Sequence, residues 1–434
     1  MEEQLLQFIW RYQYFNRQGL CVETGEPLQV LFPGTLNTHQ GPDFLNAHIR
    51  IGNTRWVGNI ELHIAEADWH KHAHQDDPHY RNIILHVVWD NGPGDLPEKR
   101  QGEERKLPLL VLQHRVPKIL LGKYEAWMNS RSFVACERHL RPVEERTWSS
   151  WKRRLLEGRL QRRVEGIRTF LAENHQHWEE TTWWLMARNM GLPVNAGAFE
   201  AIARSLPVRL LARLRERPDR LEALLLGQAG LLEGDFTEEY PRCLQKEFYH
   251  LRRLYSLSPV HQPVLFLRMR PGNFPTVRLA QLATLLSQPF SWFALLREAQ
   301  SPRDLARQLD ITAGSYWDTH YGWEEASQAT RASGFKRKRM GEQMKDSLLI
   351  NTFIPLLYAY GSLRGEKALK EKARNWLEEI RPERNTATTG WTRLGVANHN
   401  AADSQALLEL TTRYCGPKRC LECAIGTVLL GRAC

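Results

Sequence analysis

Residues 41–63 read GPDFLNAHIRIGNTRWVGNIELH, and this stretch decides the fold of the N-terminal part. Two runs rich in β-branched and aromatic residues flank Gly52-Asn53-Thr54, which is hairpin chemistry. A three-residue turn puts Ile51 opposite Arg55. Counting back along both strands then sets Asp43 opposite His63 and diagonal to Glu61. Side chains alternate along a strand, and directly opposed residues share a face. One face is therefore expected to carry Asp43, Asn59, Glu61 and His63 at one end and Ala47, Ile49, Ile51 and Val57 at the other. Two carboxylates so placed repel each other unless a cation lies between them, and hard oxygen ligands suit Mg²⁺ or Mn²⁺. A metal there lowers the pKa of a bound water and neutralises charge on a phosphoryl transition state. His63, facing the same way, can orient that water or act as general base. The plainer alternative is a Pro-Asp turn followed by polar residues on the solvent face of a strand.

Around the hairpin the pattern is mixed. Leu5, Ile9, Tyr12 and Phe15 recur at helical spacing and predict an opening helix. Strands are expected at 28–32, 47–51, 56–64, 83–89 and 107–112, separated by Pro33-Gly34, Gly52-Asn53 and Asn91-Gly92-Pro93-Gly94. The charged stretch 96–106 reads as an exposed loop. From about residue 116 helical periods take over. Leu155, Leu156, Leu160, Val164, Ile167 and Leu171 form one stripe, with further helical patterns at 177–190, 196–215, 219–233, 277–287, 302–309, 344–360, 366–380 and 402–413. The expected class is α+β: a mixed sheet with helices in residues 1–125, then a larger α-helical region over 126–434 that ends in a cysteine cluster at 415–434.

Composition sets the outer bounds. At 434 residues, 42% hydrophobic and 25% charged, the chain has the make-up of a globular protein of two or three domains. Its fifteen Trp, fifteen Phe and twelve Tyr exclude disorder as the main state. No run reaches the ~18 apolar residues of a membrane span. The start, Met1-Glu2-Glu3-Gln4, lacks a basic region followed by an apolar one, so a cytoplasmic protein without a membrane partner is expected. The net charge of +10 favours a polyanionic partner such as nucleic acid.

Asp after Pro, a β-hairpin and then Glu-x-Lys on the next strand is the signature of the PD-(D/E)xK nuclease superfamily. Pro42-Asp43 and Glu61-Leu62-His63 resemble it over roughly residues 1–115, with a helix ahead of them. The resemblance implies a restriction-endonuclease-like mixed sheet flanked by helices, with Asp43, Glu61 and the Leu62 carbonyl binding the metal. The position of the catalytic Lys is taken by His63, which brings no permanent charge. The whole chain also resembles a bacterial family classed as a domain of unknown function (DUF2851-like). That likeness is carried by Gly41-Pro42-Asp43-Phe44, Asp68-Trp69-His70, Ile84-Leu85-His86-Val87-Val88, Arg270-Pro271, Asn273-Phe274-Pro275 and Ser404-Gln405-Ala406-Leu407. It brings no activity with it.

Three further groups bear on function. Six histidines fall between residues 63 and 86: His63, His70, His72, His74, His79 and His86. Alternating His70, His72 and His74 can present imidazoles on one side of an extended segment for zinc or iron; otherwise they belong to a polar connecting loop. His86 lies inside an apolar strand and needs a polar partner, which the Asp43/Glu61 cluster can supply. Cys415, Cys420 and Cys423 have ligand-like spacing, with Cys434 or His399 as a fourth ligand, and thiolates suit Zn²⁺ or an iron–sulfur cluster. Lys336, Arg337, Lys338 and Arg339 form the densest positive run, and Arg268, Arg270 and Arg278 a second, both able to grip phosphates. Tyr316, Trp317, Tyr321 and Trp323 either stack on bases or pack in a helical core.

No phosphate-binding Gly-rich loop, dinucleotide fingerprint or Gly-x-Ser-x-Gly nucleophile is present, which argues against ATPase, dehydrogenase and serine-hydrolase chemistry. The expected function is metal-dependent hydrolysis of nucleic-acid phosphodiesters. Asp43, Glu61, His63 and His86 are its catalytic residues. The alternatives are a non-catalytic nucleic-acid-binding or scaffold protein with a degenerate nuclease fold, and a zinc or iron enzyme built on the histidine-rich loop.

Overall fold

The structure, a computed structural model, describes residues 1–71, 77–90, 107–141, 143–266, 269–323 and 335–432. The expected loop at 96–106, together with His72, His74, Arg268 and Cys434, lies outside the described residues. The chain divides into two compact units, one of Met1–Trp151 with Glu409–Cys434, the other Lys152–Leu408. The C-terminal cysteine segment thus belongs to the unit that holds the sheet. The architecture is α+β.

The first unit opens with α1 (Glu3–Tyr12), whose apolar residues Leu5, Leu6, Phe8, Ile9 and Trp10 are buried. The sheet follows: β1 (Leu28–Phe32), β2 (Thr35–Leu36), β3 (Phe44–Ile51), β4 (Thr54–Ala65), then α2 (Asp68–Lys71), β5 (Ile83–Asp90) and β6 (Leu109–Val111). The strand order is β1-β3-β4-β5-β6, with β2 also pairing along β3. The β3–β4 hairpin is antiparallel, whereas β4, β5 and β6 run parallel. Strand β5 is apolar from Ile83 to Trp89 except for His86, and it is buried from Ile83 to Val88. That continuous burial explains why its sequence does not alternate. Helix α3 (Lys118–Asn129) follows the sheet.

The hairpin register differs from expectation in two places. Ile51 pairs with Thr54, not Arg55, because the turn has two residues, with Gly52 at φ +54° in its first central position. That placement of Gly is typical of the mirror-image turns that match strand twist. Pairing then holds to Ala47–Gly58, skips across a bulge and resumes at Phe44–Ile60. Asn46, at φ +55°, forms the bulge, and its N–H donates to the Asn59 side-chain oxygen (3.2 Å). An odd extra residue swaps the faces of a strand. The shorter turn therefore buries Ala47, Ile49 and Ile51 on the face opposite to Asn59, Glu61 and His63, and the bulge returns Asp43 to the face of Glu61. Val57, expected among the core residues, is 55% exposed. Asn tolerates the left-handed backbone and a β-branched residue does not. Asn46→Val should therefore destabilise the first unit by ~1–2 kcal/mol, while Asn46→Gly should be close to neutral; thermal unfolding measures both.

The second unit is helical among its described residues. Its helices are α4 (Glu145–Glu173, begun in the first unit), α5 (Trp178–Met190), α6 (Leu192–Ser205), α7 (Val208–Leu214), α8 (Pro218–Gln228) and α9 (Glu239–Tyr255). They continue with α10 (Pro275–Leu286), α11 (Trp292–Glu298), α12 (Pro302–Gln308), α13 (Glu342–Leu348), α14 (Ile354–Arg364), α15 (Lys367–Glu379), α16 (Thr386–Arg393) and α17 (Ala401–Leu410). The pattern at 196–215 is broken by Leu206 and Pro207, since the residue before proline is driven out of the helical region. At 344–360 the helix continues through a π segment, Leu349–Phe353. Pro355 has no N–H to offer the Asn351 carbonyl, and the Asn189 side chain supplies that donor instead (3.0 Å). A final helix, α18 (Ala424–Gly431), returns to the first unit. No helix among the described residues is long and apolar enough to cross a membrane.

Candidate functional site

The two-residue turn puts Val57 at the surface, and the bulge builds the carboxylate site. Continuing the Phe44–Ile60 pairing by one residue sets Asp43 beside Glu61, directly rather than diagonally. The two strands then lock each other. The Asp43 N–H donates to Glu61 Oε2 (3.0 Å), and the Leu62 N–H donates to Asp43 Oδ2 (3.0 Å). From α1, Gln7 Nε2 donates to the other oxygen, Asp43 Oδ1 (2.8 Å). Gln7 is a site residue that the apolar helical spacing of α1 conceals, because it lies between the core positions. A strand residue turns its C=O to the same side as its N–H, so the Leu62 carbonyl also faces the Asp43 edge.

Glu61 pairs with His86 across the parallel β4–β5 ladder, so both are on one face. Glu61, His63 and His86 are all buried. His63 Nδ1 and His86 Nε2 are 2.8 Å apart and share a hydrogen bond. On its other side His63 Nε2 is 3.7 Å from Glu61 Oε1. The result is a line of polar groups, Glu61–His63–His86, through an otherwise apolar layer. His86 has the polar partner its burial demands, and that partner is His63. Trp69 stands edge-on to His63 and tilted against His86, and Tyr80 stands edge-on to Trp69.

The electrostatics follow from burial and like charge. Burial pushes the Asp43 carboxyl up from 3.8 to about 7, against the pull of its hydrogen bonds from Leu62 and Gln7; the charge of Glu3 adds to the rise. Burial also raises Glu61, from 4.5 to about 8, with the Asp43 charge as the next cause. Tyr80 is raised to about 12 by burial and by the charges of Glu61 and Asp43. A pair of groups held in this condition marks a functional site more often than a structural one.

The other expected groups fare differently. Lys338 is buried; its Nζ donates to the carbonyls of Asp318 and Lys336 and lies 3.9 Å from the Tyr321 ring centre. Arg339 forms a two-pronged pair with Asp310. Within the expected positive run, Lys336 and Arg337 are exposed. Arg270 is exposed, while Arg278 is buried and held by Asn273 and Gln281. Trp317 and Trp323 are buried, donating to Glu222 and to the Leu231 carbonyl, which is the packing alternative. His79 pairs locally with Asp77 (2.7 Å). Cys136 belongs to the same unit as Cys415, Cys420 and Cys423, and burial followed by the charge of Cys423 raises its thiol. Among the described residues, no group of three or more His, Cys, Asp or Glu side chains is placed so that it could hold a metal ion.

Searches among curated proteins and among solved structures found no match to this chain. One family model covers residues 3–386 and so includes the whole carboxylate site, though not the cysteines at 415–423. The chain belongs to the family described as Protein of unknown function (DUF2851).

Proposed function

We propose that this protein is a metal-dependent hydrolase of nucleic-acid phosphodiesters, with Asp43 and Glu61 as the carboxylates that bind Mg²⁺ or Mn²⁺. The observation that carries the reading is the side-by-side placement of the buried Glu61 and the half-buried Asp43, whose strands hydrogen-bond to each other's carboxylate oxygens. The donor set fits such an ion. Mg²⁺ is commonly held by one or two carboxylates and keeps several waters, and the Leu62 carbonyl is available on the same edge. When bound, the cation would lower the pKa of a coordinated water and offset charge on the phosphoryl oxygens.

The remaining steps fall to the chain's own groups. Gln7 and the Leu62 N–H fix Asp43 in one orientation. His86 sets the tautomer of His63: when His63 Nδ1 donates to His86, Nε2 carries no proton and can take one from the attacking water. His63→Gln should therefore lower the rate by roughly 10²-fold or more, the usual worth of a general base. His86→Phe should act in the same direction by a smaller factor, measured with the same substrate.

The test is cleavage of labelled single- and double-stranded DNA and RNA by the purified chain in Mg²⁺, in Mn²⁺ and in EDTA. Metal-dependent cleavage supports the reading and names the substrate. A second reading is a nucleic-acid-binding or scaffold protein that keeps the fold without the chemistry. It is favoured by the burial of His63 where the superfamily has Lys. Retention of all four substrates without cleavage in either metal would replace the first reading by the second.

A further inference from the structure

The face of β4 that ends in the carboxylate site begins on open sheet. In both neighbouring ladders the extra residue falls on the partner strand, β3 or β5, so β4 itself alternates regularly. Arg55, Val57, Asn59, Glu61 and His63 therefore share one face. Along that line the residues pass from exposed Arg55 and Val57 through half-buried Asn59 to buried Glu61 and His63. Pairing extends the outer end of the face across two more strands. Val57 lies opposite His48, and His48 opposite Phe32; Arg55 lies opposite Arg50, and Arg50 opposite Gln29. Directly opposed residues share a face. Two rows thus cross β1, β3 and β4: Phe32–His48–Val57 and Gln29–Arg50–Arg55.

The first row is apolar and in contact with water. Phe32 is 43% exposed, Leu31 in the β1 bulge beside it 41%, and Val57 more than either. The Phe32 ring stands edge-on to His48, 6.0 Å between centres, and Arg55 Nη2 is 3.4 Å from His48 Nδ1. The second row is basic. Arg50 and Arg55 are both exposed and directly opposed. Like charges so placed destabilise a sheet, and an anion between them removes the penalty. Apolar side chains beside paired arginines match one ligand chemistry. Bases stack on the aromatic ring while phosphates meet the guanidinium groups. A duplex keeps its base faces inside the stack and offers this surface phosphates alone, whereas a single strand offers both.

We propose that the outer face of β1, β3 and β4, with Phe32, His48, Val57, Arg50 and Arg55, binds single-stranded nucleic acid and leads it along β4 to Asp43 and Glu61. The inference rests on the phosphodiesterase reading for what happens at the inner end, and it adds the kind of substrate. Same-face neighbours on a strand are about 6.7 Å apart, which sets Val57 about 13 Å and Arg55 about 20 Å from Glu61, a span of a few nucleotides. Glu61 is buried, and a lone strand, slimmer than a duplex, is the form that reaches it.

The experiment titrates the full chain against labelled oligothymidylate, oligouridylate of the same length and a DNA duplex, with fluorescence anisotropy as the readout. EDTA keeps binding apart from cleavage, and the two single strands separate DNA from RNA. Each is longer than the ~4–16 nucleotides one such surface covers. A single strand should bind at least tenfold more tightly than the duplex. Phe32→Ala should weaken its binding about tenfold, the effect of losing one base stacked on one ring, and Phe32→Tyr should keep it. Replacing Arg50 and Arg55 together by Gln should lower the slope of log affinity against log salt by about 1.4, at about 0.7 per phosphate. Phe32, Arg50 and Arg55 are exposed, so these changes spare the core. Tyr249→Ala, which removes an equally exposed ring in the second unit, should change nothing. Equal affinity for the duplex, or single-strand binding undiminished in both face variants, would overturn the proposal. So would a dimer that Phe32→Ala dissociates, because a second copy would then cover the face. Failure of the catalytic reading looks different: single strands held through this face but left uncut in Mg²⁺ and Mn²⁺ keep the track and remove the chemistry. Cleavage whose KM is unchanged in Phe32→Ala does the reverse.

Discussion

Glu61→Gln should reduce Mn²⁺-dependent cleavage by about a thousandfold or more, a loss of ~4 kcal/mol from the transition state. The substitution keeps the shape, and its amide oxygen can still accept the Asp43 N–H that Glu61 Oε2 accepts now. What disappears is the negative charge of one ligand, 3.7 Å from His63 Nε2. Asp43→Asn should cost a similar factor, since its oxygens still accept from Gln7 and Leu62 while the charge is gone. The double variant should be scarcely worse than either single one, because both remove the same bound ion and effects within one working unit do not add. Cleavage by Glu61→Gln above a tenth of the wild-type rate, with wild-type metal dependence, would refute the carboxylate pair as the metal site. Circular dichroism and thermal unfolding of the same preparations separate this from misfolding.

Much of this geometry was legible in the residues. Strand β1 runs Leu28–Phe32 as its hydrophobic run predicts, and β5 begins at Ile83 as expected. The grouping of Asp43, Glu61 and His63 on one face also followed from alternation. The details that failed all involve single residues acting against a period. A left-handed Asn46 cannot be told from any other Asn in a strand by pattern alone, yet it reverses the face of half of β3. Charge runs mislead for a related reason. Lys338 sits in the densest positive stretch but is buried over Tyr321, because a lysine stem is apolar and its head can be satisfied by carbonyls. Sequence separation hides the last case: Cys136 comes into one unit with Cys415, Cys420 and Cys423 only through the fold.

Without metal, the protein should become less stable as pH rises from about 5 to about 8.5, and Mn²⁺ should reverse the loss. The sign follows from the two carboxyls. Folded, Asp43 and Glu61 hold their protons up to about 7 and about 8; unfolded, they release them near 3.8 and 4.5. Between these limits the folded state binds more protons than the unfolded one, so stability falls with rising pH. Each fully responding carboxyl contributes a slope of about 1.4 kcal/mol per pH unit. Their stabilising contribution is complete below about pH 4 and is lost as pH passes through 7 to 8. Other buried carboxyls with raised values, Glu222 and Glu383, add to the same trend, so the informative quantity is the difference between wild type and Glu61→Gln. The variant should show the flatter profile and should be the more stable of the two at pH 8 in EDTA. A divalent cation competes with those protons. At a hundred times its dissociation constant it adds ~2.7 kcal/mol at the alkaline end, while near pH 5 protonated carboxyls bind it poorly and the gain vanishes. A Mn²⁺-induced rise in melting temperature that is equal at both pH values, or equal in Glu61→Gln, would show that the ion binds elsewhere.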